Sequence, residues 1–359
     1  MYKTLLPLFL SMVLLSACGG SSDSGSTTTG GTDTGTDTTD TTVVDTGTPA
    51  DVENFVPADG IASYTGDNQL ADLNTGNSRD FLGLLFSPGL QAPGTSLRSE
   101  TPAIGIQLAG DDFLRSQETL LRDLKQKALV QHQYSQRSVD VSDSDSCGGT
   151  GGYVHLSGEL YESVGKGKLK LEYVNCQSGG YVLNGDAYLL IYAIHGSFNE
   201  FSSSTLSYNG LQADLLSSDE TLSIVGTVDE VVDFDTGSVR VTSKLHREFA
   251  NTGQQSLTDV IRLSQGVDGA VEMTGNLYEG FFGRVQVTTL QRLIYNDVGS
   301  PIAGYILLTG LDNSKIAVTA LGEQYNTSTG LNEIMLQVDV DADGDGYYEN
   351  VSQIDAGGL

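Results

Sequence analysis

The clearest structural pattern in this chain lies in Tyr153-Val154-His155-Leu156-Ser157-Gly158-Glu159-Leu160-Tyr161. There, Val154, Leu156 and Leu160 alternate with polar residues, and a second stretch, Lys168-Leu169-Lys170-Leu171-Glu172-Tyr173, repeats the alternation. A period of two residues places apolar side chains on one face of a strand and polar side chains on the other. The pattern therefore predicts antiparallel strands that have one buried face and one wet face.

Similar stretches continue toward the C-terminus and are separated by turns rich in Gly, Asn and Asp. They predict further strands at 181–194, 222–228, 238–247, 257–263, 270–277, 284–294, 302–308, 315–321 and 333–340. We expect a mainly β protein with an antiparallel sheet assembly at 147–359. A sandwich, a curled sheet and an open barrel are all compatible with the alternation.

Two of these strand regions also resemble each other weakly in sequence. Leu156-Ser157-Gly158-Glu159-Leu160-Tyr161-Glu162 is answered by Met273-Thr274-Gly275-Asn276-Leu277-Tyr278-Glu279, and each stretch is followed by a glycine, a basic residue and an alternating strand. Repeats of this kind arise by duplication, and chance similarity between two hairpins built from few residue types is the alternative.

The chain before residue 147 has a different composition. Proline and glycine residues interrupt 51–146 and predict loops with short elements. Within this region, apolar residues recur at three- and four-residue steps after Asp111-Asp112, which predicts one helix at about 111–132 packed on the sheet. Residues 18–50 consist almost only of Gly, Ser, Thr and Asp, a composition typical of a disordered linker.

Charge narrows the class of partner. The chain has 46 acidic and 18 basic residues, and its formal net charge is −28. Such a charge repels phosphate, so it argues against nucleic acid and anionic membrane surfaces as partners.

The N-terminus has the pattern of an export signal. A basic residue, Lys3, precedes an apolar run too short to span a bilayer, and small residues lead to Cys18. Leu15-Ser16-Ala17-Cys18 resembles the lipobox of bacterial lipoproteins. The resemblance implies that residues 1–17 are a signal peptide, and that Cys18 is acylated with fatty acids such as palmitate and anchors the protein in a membrane. In that family, a residue other than Asp after the cysteine, here Gly19, implies the outer membrane; both leaflets are compatible.

Two further cysteines remain, Cys147 and Cys176. In an oxidising compartment an even pair most simply forms one disulfide. A two-cysteine metal site is less favoured, because no histidine lies at ligand spacing beside either cysteine.

A second resemblance covers roughly the last 210 residues. Cys147-Gly148-Gly149, Tyr173-Val174-Asn175-Cys176 and Pro301-Ile302-Ala303-Gly304 are similar to a recurrent pattern in β-rich lipoproteins of Proteobacteria. The activities of these proteins are uncharacterised. The resemblance therefore implies a location in the cell envelope and a fold class, but no activity.

The sharpest candidate site lies near the C-terminus. Asp341, Asp343 and Asp345 occupy positions one, three and five of a calcium loop, and Gly346 occupies position six. The remaining candidate ligands are Tyr347, through its carbonyl at position seven, and Glu349 at position nine. Ser352 stands at position twelve, where an EF-hand has a bidentate glutamate. Two interpretations follow, a weak calcium site in a β-hairpin loop and an acidic turn that binds nothing specifically; no other cofactor is indicated.

No catalytic constellation stands out. His132, His155, His195 and His246 are scattered, and neither a nucleophile elbow nor a phosphate-binding loop occurs. The leading hypothesis is a non-catalytic envelope lipoprotein with a structural or binding role toward an envelope protein or glycan. The alternatives are a periplasmic carrier of lipid or another apolar ligand, and a hydrolase of an envelope polymer.

Overall fold

The computed structural model describes residues 52, 54–86, 139–147, 152–161, 165–178, 181–195, 200–216, 220–265, 270–295, 301–326 and 331–355. These residues form one sheet of 14 strands, in which every strand pairs with the next strand along the chain. All the pairings are antiparallel, as in β1 with β2 and β13 with β14. The predicted mainly β fold is therefore confirmed.

The elements follow a simple order. Two helices precede the sheet, α1 (Gly60–Ser63) and α2 (Ser78–Phe86). The strands are β1 (Val139–Ser146), β2 (Tyr153–Tyr161), β3 (Lys166–Ser178), β4 (Tyr181–His195), β5 (Glu200–Leu215), β6 (Thr221–Asp233), β7 (Ser238–Phe249), β8 (Gln255–Gln265), β9 (Ala270–Glu279), β10 (Gly283–Tyr295), β11 (Pro301–Thr309), β12 (Lys315–Asn326), β13 (Leu331–Asp341) and β14 (Asn350–Asp355). A short 3₁₀ turn, Leu311–Asn313, connects β11 to β12.

Three of these strands were not predicted, namely β1, β5 and β14. The first of them begins at Val139, before residue 147, where the sequence places the start of the β region. The predicted helix at about 111–132, the linker 18–50 and Cys18 lie outside the described residues. Within the part of the chain that is described, no helix is long and apolar enough to cross a membrane.

The described strands form a single sheet, and its first and last strands are not paired with each other. Among the described residues, two large hydrophobic cores lie on either side of the boundary between β7 and β8, and a small third cluster, Val232, Val239 and Val241, lies on β6 and β7. The first core contains buried side chains of β2 to β7 together with Cys147. The second contains side chains of β8 to β13, the apolar face of α2, and Ala71 and Leu73.

The two stretches that resemble each other in sequence lie in β2 and β9, which are seven strands apart. Gly158 in β2 and Gly275 in β9 both have a φ of +144°, a conformation that side chains rarely adopt. Gly185 in β4 and Gly304 in β11 have φ values of +116° and +124°. The same backbone irregularities thus recur in two seven-stranded units, which is what a duplication predicts.

The predicted disulfide is confirmed. Cys147, directly after β1, is bonded to Cys176 in β3, and their Cα atoms are 5.1 Å apart. The bond closes a loop with a sequence separation of 29 residues. In the chain-entropy model, a loop of this size stabilises the folded state by about 3–4 kcal/mol.

A segment that we call the strap, residues 54–73, crosses the sheet. The backbone N–H of Ala58 donates to Ser207 Oγ at 2.9 Å, and the Phe55 ring packs on Tyr188 with centroids 4.8 Å apart. Ser207 alternates along β5 with Leu206 and Tyr208, which belong to the first core. Because alternate side chains point to opposite faces, this part of the strap lies on the face opposite that core.

The strap then continues toward the second half of the sheet. Gly60 lies so close to β7 that an added Cβ would be 2.4 Å from the Lys244 carbonyl oxygen, so only glycine fits there. The Tyr64 ring packs against His246. Further on, the N–H of Ala71 donates to the Arg284 carbonyl at 2.8 Å. The strap therefore holds the start of β10 and leads α2 into the second core.

Candidate metal centre

The predicted acidic loop connects the last two strands. β13 ends at Asp341 and β14 begins at Asn350, and the pairing of Val340 with Asn350 closes the hairpin. Asp341 is fully buried and lies opposite Lys315 in the register of β12 and β13. A strand end thus fixes the first candidate ligand, while the residues after it are free to curl.

The loop brings four carboxylates together, those of Asp341, Asp343, Asp345 and Glu349. One oxygen from each lies within 4.8 Å of the others. Calcium binds oxygen at about 2.3–2.6 Å, so two ligands on opposite sides of one ion are about 5 Å apart. The spacing of the four oxygens therefore fits a single calcium ion.

Asp341 organises the curl of the loop. Its Oδ1 accepts a hydrogen bond from the Gly344 N–H at 2.8 Å, and its Oδ2 accepts one from the Gly346 N–H at 3.1 Å. Gly344 has a φ of +73° and passes the 3₁₀ turn so closely that a Cβ would be 2.2 Å from the Asp312 carbonyl oxygen. Glycine at this position is therefore required by both conformation and space.

The exposed ligands are oriented by the backbone in the same way. Asp343 Oδ1 accepts from the Asp345 N–H at 3.2 Å, and Asp345 Oδ1 accepts from the Tyr347 N–H at 2.8 Å. Glu349 Oε2 accepts from the Ala342 N–H at 3.0 Å, which ties the two ends of the loop together. These hydrogen bonds use one oxygen of each of the three exposed carboxylates and leave the other oxygen to bind a metal ion.

The charge of the cluster is only partly compensated. Two unit charges at this spacing repel by about 1 kcal/mol in water, and by more where solvent is excluded. Lys315 Nζ lies 3.9 Å from Asp341 Oδ2, at the outer limit of an ion pair. The hydrogen bonds to Asp343, Asp345 and Glu349 given above come from backbone N–H groups, which carry no net charge. A divalent cation would offset this repulsion.

A tyrosine pair borders the loop. Burial raises the pKa of Tyr348, and its hydrogen bond to Tyr305 and the carboxylates of Asp341 and Asp339 raise it further. The Tyr348 phenol is therefore neutral at physiological pH and serves as a hydrogen-bonding group. Tyr347, by contrast, has a side chain that is 78% exposed.

Two residues near the motif lie outside the cluster. Asp339 accepts hydrogen bonds from Gln337 Nε2. Ser352, at position twelve, lies in β14, where it pairs with Val338 of β13 and donates a hydrogen bond from its hydroxyl to the Val338 carbonyl. Position twelve is thus a strand residue, which explains in structural terms why this loop departs from an EF-hand.

The four clustered carboxylates were predicted from the sequence, whereas the residues that hold them in place were not. Lys315 reaches Asp341 only through the strand register, and Asn313 Nδ2 donates to the Gly344 carbonyl from the preceding turn. Neither residue lies near the motif in sequence.

The three described histidines lie on different strands, His155 on β2, His195 on β4 and His246 on β7. His132 falls outside the described residues.

Comparison with protein-family models, with curated proteins and with solved structures finds no significant match to this chain. Its function is therefore argued from the residues and their geometry.

Proposed function

We propose that this protein is a lipid-anchored component of the bacterial cell envelope, with a non-catalytic structural or binding role, and that calcium in the loop Asp341 to Glu349 stabilises its β domain. The observation that carries the calcium part is the convergence of four carboxylates on one hairpin loop within 4.8 Å. Hard oxygen ligands at this spacing suit calcium.

The address rests on the N-terminal sequence. Leu15-Ser16-Ala17-Cys18 supports acylation of Cys18 after removal of residues 1–17. Residues 18–50 would then form a flexible tether of roughly 30 residues, with a reach on the order of 30 Å. Such a tether holds a domain clear of lipid headgroups, and Gly19 after the cysteine supports the outer membrane.

The position of the loop explains what calcium would do. β14 is six residues long, and within the described sheet it pairs with β13 alone. Most of its side chains are exposed, as Val351 is at 64%. A strand with so little buried surface gains most from an ion that fixes the turn leading into it. A site without a bidentate glutamate would bind calcium weakly, on the order of 10⁻⁴–10⁻³ M, as extracellular modules do.

A calcium titration tests this part of the proposal. We expect isothermal titration calorimetry to show one calcium site in the wild-type protein, with little response to magnesium. The double variant Asp343→Asn with Asp345→Asn should lose the signal. The matched control, Asp235→Asn with Glu323→Gln, removes two exposed carboxylates elsewhere and should bind as the wild type does. Calcium heat that survives in the loop variant would contradict the assignment.

Fatty-acid labelling tests the anchor. Cells that express the protein with radioactive palmitate should yield a labelled band in the outer-membrane fraction. Cys18→Ser should abolish the label and release the protein from the membrane, whereas Cys147→Ser, in the described domain, should leave the label in place. An unlabelled wild-type protein would contradict the anchor while leaving the calcium site untouched.

A further inference from the structure

An open pocket lies where the strap passes the end of the sheet. Its volume is about 710 Å³, and it is lined by Asn68, Gln69, Leu70, Tyr278, Arg284 and Leu311. Pockets of 300–1,000 Å³ with a few convergent polar groups are typical of small-molecule sites. This pocket contains one guanidinium, two amides, one phenol and two aliphatic side chains, and no carboxylate lines it.

The arginine is the unusual member of this set. The chain has 46 acidic and 18 basic residues, and some described cations pair with a carboxylate, as Arg292 does with Glu272 at 2.6 Å and Lys170 with Asp186 at 2.9 Å. Arg284 forms no such ion pair with the described residues, and its Nε is buried without a hydrogen-bond partner. A buried donor without a partner is costly, by an amount comparable to a lost hydrogen bond. Arg284 also lines the pocket, so a ligand carboxylate there would lie beside its positive charge.

Backbone contacts hold the arginine in place. The Arg284 N–H donates to the Gln69 carbonyl at 2.7 Å, and the Arg284 carbonyl accepts from the Ala71 N–H at 2.8 Å. These bonds fix the strap against β10 as a short parallel bridge between Leu70 and Arg284. The backbone from which the guanidinium extends is thus set before any ligand binds, which lowers the entropy cost of binding.

Nearby carboxylates are committed to other groups. Both oxygens of the buried Glu279 are used, Oε1 by Gln254 Nε2 and Oε2 by the N–H groups of Phe281 and Phe282. Asp67 Oδ1 accepts from the Gln69 N–H at 2.9 Å. Glu279 and Asp67 therefore shape the turns around the pocket, and among the described residues neither forms an ion pair with Arg284.

The rest of the lining suits a hydroxylated ring. The Tyr278 ring is held by Tyr64, with centroids 5.5 Å apart, and offers an amphipathic surface. Gln69 Nε2 donates to Asn68 Oδ1 at 3.1 Å, and this bond leaves Asn68 Nδ2 as a donor and Gln69 Oε1 as an acceptor. A donor and an acceptor side by side are suited to neighbouring hydroxyl groups.

We propose that this pocket binds an acidic sugar, a uronate whose carboxylate pairs with the Arg284 guanidinium and whose ring lies against Tyr278. A planar guanidinium binds a carboxylate through two parallel hydrogen bonds. The amides of Asn68 and Gln69 would contact the hydroxyl groups. This inference depends on neither the calcium loop nor the lipid anchor.

Calorimetric titration with sodium glucuronate tests the proposal, with glucose and inorganic phosphate as comparison probes. The buffer contains EDTA, so that the acidic loop does not contribute. We expect saturable glucuronate binding, and much weaker binding of glucose and phosphate. Arg284→Gln should weaken glucuronate binding roughly ten- to a hundredfold, the loss expected for hydrogen bonds to a charged group. Arg240→Gln, which removes an exposed arginine from β7, should leave binding unchanged.

Two further variants protect the test against unfolding. Arg284→Lys keeps the charge but not the paired donors, and should bind more weakly than the wild type. Asn68→Ala with Gln69→Ala alters only exposed side chains and should also weaken binding. Absence of saturable wild-type binding, equal binding of glucose, equal binding of phosphate, or full affinity in Arg284→Gln would each overturn the proposal.

Discussion

The two halves of the sheet are built from similar strands but are completed differently. In the described residues of the first half, β1 to β7, a disulfide joins Cys147 to Cys176 across β2. In the second half, β8 to β14, α2 fills the core and an acidic loop closes the last hairpin. The comparison shows that similar strands can be stabilised by a covalent bond in one half of the sheet and by helix packing and charged side chains in the other.

The largest expected effect on the free energy of unfolding comes from removing a large side chain of α2 from the second core. Phe81 is fully buried in that core, so Phe81→Ala should lower the free energy of unfolding by about 3–5 kcal/mol, measured by urea denaturation. The control Leu290→Ala, at a side chain that is 57% exposed, should change it by less than about 0.5 kcal/mol. Equal effects of the two substitutions would mean that α2 does not support the second core.

The corresponding change in the first half removes the disulfide. Cys147→Ser with Cys176→Ser should cost about 3–4 kcal/mol in the same assay, because the unfolded chain regains its loop entropy. Adding a reductant to the wild-type protein should reproduce the loss and should not affect the double variant. A loss below about 1 kcal/mol would show that the first half is stable without its covalent link.

Calcium should act on the second half by a smaller amount. With the weak affinity proposed here, 10 mM calcium should raise the free energy of unfolding by roughly 1–3 kcal/mol relative to EDTA. Asp343→Asn with Asp345→Asn should remove this difference. If the loop variant gains as much from calcium as the wild type, the ion acts elsewhere.

The smallest effect is expected at the junction of the halves, under the strap. Burial lowers the pKa of His246, and the Glu248 carboxylate and a hydrogen bond to Gln255 oppose this only in part. The fold thus favours neutral imidazole. This contribution is full above the ordinary pKa of about 6.5 and is lost as the pH falls below it. His246→Phe keeps a ring against Tyr64 and should reduce the loss of stability between pH 7 and pH 5, as measured by urea denaturation; an unchanged pH profile would exclude His246.

The sequence predicted those strands that have one apolar face. β2 and β3 alternate regularly, whereas β5 contains the run Ser202-Ser203-Ser204 and was missed. β1 is acidic and serine-rich, and β14 is short and exposed. The path of the strap was also unpredictable, because its contacts, such as Ala58 with Ser207, join residues 149 positions apart and depend on tertiary structure.

The candidate metal centre was largely predictable because its ligands are close in sequence. Asp341 to Glu349 form one loop, and the alternation of acidic residues with glycine indicates how that loop curls. The Arg284 pocket could not be predicted in this way. Three segments supply its lining, the strap, the β9–β10 hairpin and the turn at Leu311, and only the fold brings them together.

Amide hydrogen exchange, measured with and without calcium, tests the central claim most directly. If calcium completes the second half, adding millimolar calcium should slow exchange in the loop 342–349 and in β13 and β14. Exchange in β2 and β3, held by the disulfide, should stay the same. No change in the loop, or equal slowing in both halves, would contradict this account.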